Sequence, residues 1–110
     1  MNDSKIPVAV IGLGAFGKRT LKALKNCDDV EVVGVADKLA DVVQSVATDA
    51  DVEGYTDTRQ MILKKKPIAV FIATPPMVWG DLLGFCLKNG VHVWKEAPLA
   101  RNLGEAVNFV

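Results

Sequence analysis

Val8-Ala-Val-Ile-Gly-Leu-Gly-Ala-Phe-Gly17 joins an unbroken apolar run directly to glycines at positions 12, 14 and 17, and a helix-patterned segment follows. In a strand-turn-helix unit each glycine has a mechanical duty. Gly12 allows the tight turn, Gly14 lets a ligand approach the backbone without meeting a side chain, and Gly17 lets the helix pack closely on the strand. The free N–H groups of the stretch Gly12, Leu13, Gly14, Ala15, Phe16 and Gly17 suit the phosphates of a dinucleotide. Asp37 stands twenty positions after Gly17, at the end of a second apolar run. That is the distance at which a carboxylate meets the adenine ribose of such a ligand. A structural turn in a nucleotide-free α/β domain would use the same glycines, but the strand before them, the helix after them and the acid favour the dinucleotide.

The remainder of the chain repeats this alternation. Residues 6–11 read as a strand, and Phe16, Thr20, Leu21 and Leu24 recur at helical spacing until Asn26-Cys-Asp-Asp29 breaks the pattern. Val30–Ala36 is the second strand, followed by a helix with Val42, Val43, Val46 and Ala47 on one face. Gly54-Tyr55 suggests a short third strand, with Asp57 as N-cap of a helix through Met61, Ile62 and Leu63. Ile68–Ala73 is a fourth strand of the type buried on both faces, ended by Thr74-Pro75-Pro76. A helix from about Trp79 to Asn89 places Leu82, Leu83, Cys86 and Leu87 on one face, with Gly90 as its C-terminal glycine. Val91–Trp94 is a fifth strand, and Asn102 with Glu105 opens a last helix carrying Leu103, Ala106, Val107 and Val110. Strands alternating with helices imply right-handed crossovers: a doubly wound Rossmann α/β fold, a three-layer αβα domain around a parallel sheet of order 3-2-1-4-5. The last helix halts in mid-pattern, so residues 1–110 are expected to be one nucleotide-binding domain of a longer protein.

Bulk properties exclude several partners. Thirteen basic and thirteen acidic residues cancel, so no global field draws the chain to nucleic acid or to an anionic membrane. Lys64-Lys65-Lys66 reads as the dipole-complementing end of a short helix. No apolar run approaches the ~20 residues of a membrane span. Cys27 and Cys86 have no companions at metal-ligand spacing, so no metal site is expected. The polar start Met1-Asn-Asp-Ser-Lys5 carries no signal-peptide pattern, and the cytoplasm is the expected compartment.

Asp37 can accept hydrogen bonds from both ribose hydroxyls of NAD and would repel a 2′-phosphate; Lys38 could pair with that phosphate, so NAD is favoured and NADP remains possible. The bland alternative for Asp37 is an N-cap on the following helix. Ala73, Thr74, Pro75 and Pro76 fall at the carboxyl end of the fourth strand, where the crevice beside the dinucleotide forms, although a rigid strand-to-helix connection explains the prolines as well. Trp79 fits the apolar face of its helix and reads as core or interface. His92, flanked by Val91 and Val93 in the strand interior, reads as structural rather than catalytic.

The stretch Trp94-Lys95-Glu96-Ala97-Pro98-Leu99-Ala100, taken with the glycine turn, Asp37 and Ala73-Thr-Pro-Pro76, resembles the N-terminal nucleotide-binding half of the glucose-fructose oxidoreductase / inositol dehydrogenase / rhizopine catabolism (Gfo/Idh/MocA) oxidoreductases. The resemblance covers nearly the whole chain. It implies NAD(P)-dependent hydride transfer, commonly at a sugar or polyol carbon, and a larger second half that forms most of the substrate pocket. It also implies Glu-Lys-Pro at the end of the fifth strand, with the lysine near nicotinamide and substrate. Here Glu96 and Pro98 match, but Ala97 stands in the lysine position, and Trp79 stands where the family often has histidine. Lys95 lies two residues before Ala97, on the same face of an extended strand and displaced by roughly 6.5 Å, about the reach of a lysine side chain. Lys95 and Glu96 are therefore the candidate catalytic residues, Glu96 also bordering the cofactor. A solvent-exposed or phosphate-directed Lys95 is the competing reading.

Two classes of function stay open: the cofactor-binding part of an oxidoreductase acting on a small sugar or polyol as a homo-oligomer, or a module that holds or senses a dinucleotide without turnover. Within the enzymes, homoserine dehydrogenases and dihydrodipicolinate reductases share this kind of first domain. Glu96-Ala97-Pro98-Leu99-Ala100 argues against them.

Overall fold

A computed structural model describes residues 5–73 and 80–95. The expected last helix, Thr74–Trp79 and Glu96–Ala100 lie outside these residues. The elements are β1 (Ile6–Ile11), α1 (Ala15–Lys25), β2 (Val30–Ala36), α2 (Ala40–Ala50), β3 (Gly54–Tyr55), α3 (Thr58–Lys65), β4 (Ala69–Ile72), α4 (Gly80–Lys88) and β5 (His92–Lys95). All strand pairs are parallel and the order is β3-β2-β1-β4-β5, as the alternation of elements requires.

β1 is the central strand, which explains its unbroken apolar run: Val8, Ala9, Val10 and Ile11 are all buried because both faces of the sheet are covered. Their alternation divides the core. Val8 and Val10 pack with Leu21 of α1 and Val43 and Val46 of α2, whereas Ala9 and Ile11 pack with Met61 and Ile62 of α3 and Cys86 of α4. Burial pushes the Cys86 thiol pKa up, so this cysteine behaves as a small apolar core residue. Cys27 is exposed.

The pairing of β1 with β2 slips between Val8, which faces Val32, and Ala9, which faces Gly34. Val33 is the extra residue of a bulge. The slip changes the phase of β2, so that Val32 and Val35 both enter the α1/α2 core while Ala36 enters the other. By the same alternation Asp37, one residue further, leaves on the α1 side. The bulge thus turns this carboxylate toward the glycine turn.

Helix ends follow local chemistry. Asp57 caps α3, its Oδ1 accepting from the Gln60 N–H at 3.2 Å. Lys64 and Lys65 occupy the last turn of that helix, and Lys66 terminates it in the left-handed region at φ 49°, just ahead of Pro67. Lys65 pairs with Glu53, tying the end of α3 to the approach to β3. That hydrogen bond holds the Glu53 carboxyl below its usual range. α2 ends at Asp51 with φ 57°.

Several expectations shift. Leu87 is 76% exposed, so the core face of α4 is Leu82, Leu83, Phe85 and Cys86. Leu87 lies about 140° around the helix from Leu82, outside the apolar stripe. Phe16 is 41% exposed and stacks beneath Arg19, whose guanidinium carbon is 6.0 Å from the ring centroid. His92 is an exposed residue that opens β5, rather than a packed one in the strand interior. β5 itself is displaced by one residue, to His92–Lys95, because the Val91 N–H donates to the Cys86 carbonyl at the end of α4 at 2.9 Å.

Candidate cofactor site

The turn after β1 begins between its two neighbouring strands. Gly12 N donates to Ala36 O at 2.8 Å, and Ala73 N donates to Ile11 O at 2.7 Å. Gly12 sits at φ 92°, in the region that favours glycine. A Cβ on Gly17 would lie 1.8 Å from the Gly12 carbonyl oxygen, so α1 can lie this close to the turn only with hydrogen there. A glycine inside a helix costs about 1 kcal/mol relative to alanine, and this contact is what offsets it. Gly14 is different. It is the N-cap of α1, with φ −74° and ψ −165° and no side-chain cap, and a Cβ there would meet nothing within 4 Å. Any residue can adopt those angles. The space beside Gly14 and the uncapped N–H groups of α1 fit a pyrophosphate that approaches the backbone closely.

Asp37 faces this turn. Its Oδ2 accepts from the Leu13 N–H at 2.8 Å and its Oδ1 from the Leu39 N–H at 2.9 Å. The N-cap position of α2 belongs to Leu39, without a side-chain cap. Asp37 therefore does not cap that helix from its N-cap position. It closes a short turn after β2 and latches that turn to the glycine loop. A carboxylate has about four lone-pair sites, so two remain for ribose hydroxyls.

These residues border a cleft of about 860 Å³ at the carboxyl edge of the sheet. Ile11, Gly12, Leu13 and Gly14 form its floor, Asp37, Lys38 and Leu39 one wall, and Ala73 with Asp81 and Leu82 another. Ala15, Phe16 and Gly17 stand in the first turn of α1 and do not line it. Lys95 ends β5 in register with Ile72, which brings its backbone to the same edge as Ala73. Thr74, Pro75, Pro76 and Glu96 lie outside the described residues. Thr56, Asp57, Thr58 and Arg59 also line the cleft, and motif spacing did not reveal them. The strand order held the signal: with β3 outside β2 and Asp37 N donating to Tyr55 O at 3.1 Å, whatever follows Tyr55 must emerge beside Asp37. Among the described residues, no group of three or more His, Cys, Asp or Glu side chains could hold a metal ion.

Residues 6–110 match the Gfo/Idh/MocA oxidoreductase family, NAD-binding Rossmann fold. The chain belongs to this family. It is 32% identical over 100 residues to a 4-carboxy-2-hydroxymuconate-6-semialdehyde dehydrogenase of Sphingobium, covering 90% of this chain and 32% of that protein. It is 29% identical over 106 residues to the scyllo-inositol 2-dehydrogenase (NAD(+)) of Bacillus subtilis, covering 94% of this chain and 31% of the relative. The crystal structure of scyllo-inositol dehydrogenase from Lactobacillus casei with bound NAD(H) and scyllo-inositol shares the fold at a TM-score of 0.78 and 21% identity, over 96% of this chain and 31% of that one. The chain thus spans about a third of the length of the relatives it matches. It is an NAD-binding Rossmann domain of an oxidoreductase family.

Proposed function

We propose that residues 1–110 form the cofactor-binding domain of an NAD-dependent dehydrogenase acting at a sugar or polyol carbon, in a longer protein whose remaining part supplies most of the substrate pocket. The observation that carries the proposal is the open space at Gly14, next to a carboxylate latched onto the same turn. In this reading the backbone from Gly12 to Gly17 (Leu13, Ala15 and Phe16 included) holds the pyrophosphate, and Asp37 accepts from the ribose. Lys38 flanks that ribose and keeps NADP within reach. Ala73, Thr74, Pro75 and Pro76 line the crevice toward the nicotinamide. NAD(H), when bound, supplies the hydride acceptor or donor. Lys95 and Glu96 are proposed as the groups closest to the reacting carbon, Lys95 serving where Ala97 interrupts Glu-Lys-Pro.

The substrate class is supported by relatives named scyllo-inositol 2-dehydrogenase and myo-inositol 2-dehydrogenase. Copies of the protein are proposed to associate through β5, the last strand of the described sheet, or through the helix expected to carry Leu103, Val107 and Val110. The free cysteines accord with a cytoplasmic setting. No described helix is long and apolar enough to cross a membrane.

Calorimetric titration of the 110-residue chain with NADH and NADPH tests the cofactor reading, with tighter binding of NADH expected. Residues 1–110 alone are expected to turn over no polyol, because a second domain is needed to orient substrate and exclude water. Turnover by this chain would overturn that division of labour.

A further inference from the structure

Arg59 occupies a place in the cleft that the cofactor motifs do not explain. It lies in the first turn of α3, just beyond Asp57, and lines the cleft together with Asp37 and Lys38. Its guanidinium carbon stands 5.5 Å from the ring centroid of Phe85. Phe85 is half-buried against the α3/α4 core, so the ring is a fixed support with the cation held over it at cation–π distance. Among the described residues Arg59 forms no salt bridge; the ion pair there is Lys65 with Glu53. A flat cation resting on an aromatic ring at the margin of a cleft matches a planar heteroaromatic ring better than a sugar.

A ribose held at Asp37 directs its base away from the pyrophosphate, toward the residues that follow β3. We infer that Arg59 is the adenine-binding residue of this domain, its guanidinium sandwiched between Phe85 and the purine. This deepens the NAD-binding assignment and rests on it. Two consequences follow from the geometry. The contact is made to the base, so it serves NADH, NADPH and ADP-ribose alike. It also depends on a plane, so lysine replaces arginine poorly.

The test is titration of ADP-ribose, NADH and NADPH into the unaltered 110-residue chain, Arg59→Ala and Arg59→Lys. Arg59 is exposed, so neither substitution disturbs the core, and unchanged thermal melting verifies this. The expected result is about tenfold weaker binding of all three ligands to Arg59→Ala, with Arg59→Lys regaining less than about threefold. The loss should persist between about 0.05 and 0.5 M salt, since a short-range stacked contact is screened little. Undiminished binding by Arg59→Ala overturns the inference. Full recovery by lysine with a loss that vanishes at high salt, or a loss confined to NADPH, also overturns it, by making Arg59 a phosphate contact. If the unaltered chain binds none of the ligands, the assignment of this cleft to NAD falls instead, and the inference with it.

Discussion

Two glycines of one short motif are held to glycine by different causes. At Gly17 the protein itself forbids a side chain, because the Gly12 carbonyl would lie 1.8 Å from a Cβ. At Gly14 nothing in the protein comes within 4 Å of that position, and the backbone angles suit any residue. Gly17 is therefore explained by folding, as the contact that seats α1 on the turn. Gly14 has no folding explanation in its surroundings, and a ligand that must reach the backbone gives it one. One motif thus contains a stability residue and a binding residue three positions apart.

The contrast breaks if both substitutions act alike. Gly17→Ala adds a single methyl group and should destabilise by about 3 kcal/mol, since α1 must lift off the turn and uncover Leu21. Denaturant unfolding measures this, and a loss under 1 kcal/mol would mean that α1 tolerates displacement. Gly14→Val should cost no more than about 1 kcal/mol, the loss of a favourable N-cap residue, while weakening NADH binding more than about tenfold by calorimetry. Undiminished binding there would remove the pyrophosphate from this turn.

Asp37 sharpens the comparison because it combines both causes. It supports the fold through the Leu13 and Leu39 amides, and it faces the ribose in the proposed complex. Asp37→Ser should cost about 1–3 kcal/mol of stability, as hydrogen bonds to a charged acceptor do. It should also narrow the NADH:NADPH affinity ratio by removing the repulsion of a 2′-phosphate. A lowered stability with an unchanged ratio would make Asp37 a structural latch alone.

What the sequence disclosed, and what it withheld, divides along the range of the forces involved. β1 and β2 were legible residue by residue, because apolar runs bounded by breakers can be satisfied only by strands buried on both faces. The duties of Gly12 and Gly17 were legible for the same local reason. The bulge at Val33 was not, since a valine run reads the same in either register. Leu87 was misplaced because spacing marks a helical stripe but not its width. The place of Arg59 at the cleft was implicit only in the strand order, and its contact with Phe85 needs α3 and α4 brought to one edge of the sheet. No local pattern encodes such a meeting of elements.

The smallest effect is expected far from the cleft, at the end of α2. Asp51 takes a left-handed conformation at φ 57°, and no basic residue stands in the last turn of that helix. As the C-cap residue it sets a negative charge at the negative end of the helix dipole, which is unfavourable by a few tenths of a kcal/mol. A non-glycine residue in this conformation adds about 1 kcal/mol of strain, reduced for aspartate by its tolerance of the left-handed region. Asp51→Gly relieves both and should stabilise by about 0.5–1 kcal/mol, after the greater freedom glycine gives the unfolded chain. Asp51→Asn removes only the charge and should gain about half as much. NADH affinity should not change in either variant, since Asp51 does not border the cleft. A destabilised Asp51→Gly would show that the side chain holds the turn into β3, and that this region resembles Gly17 in being fixed by the fold.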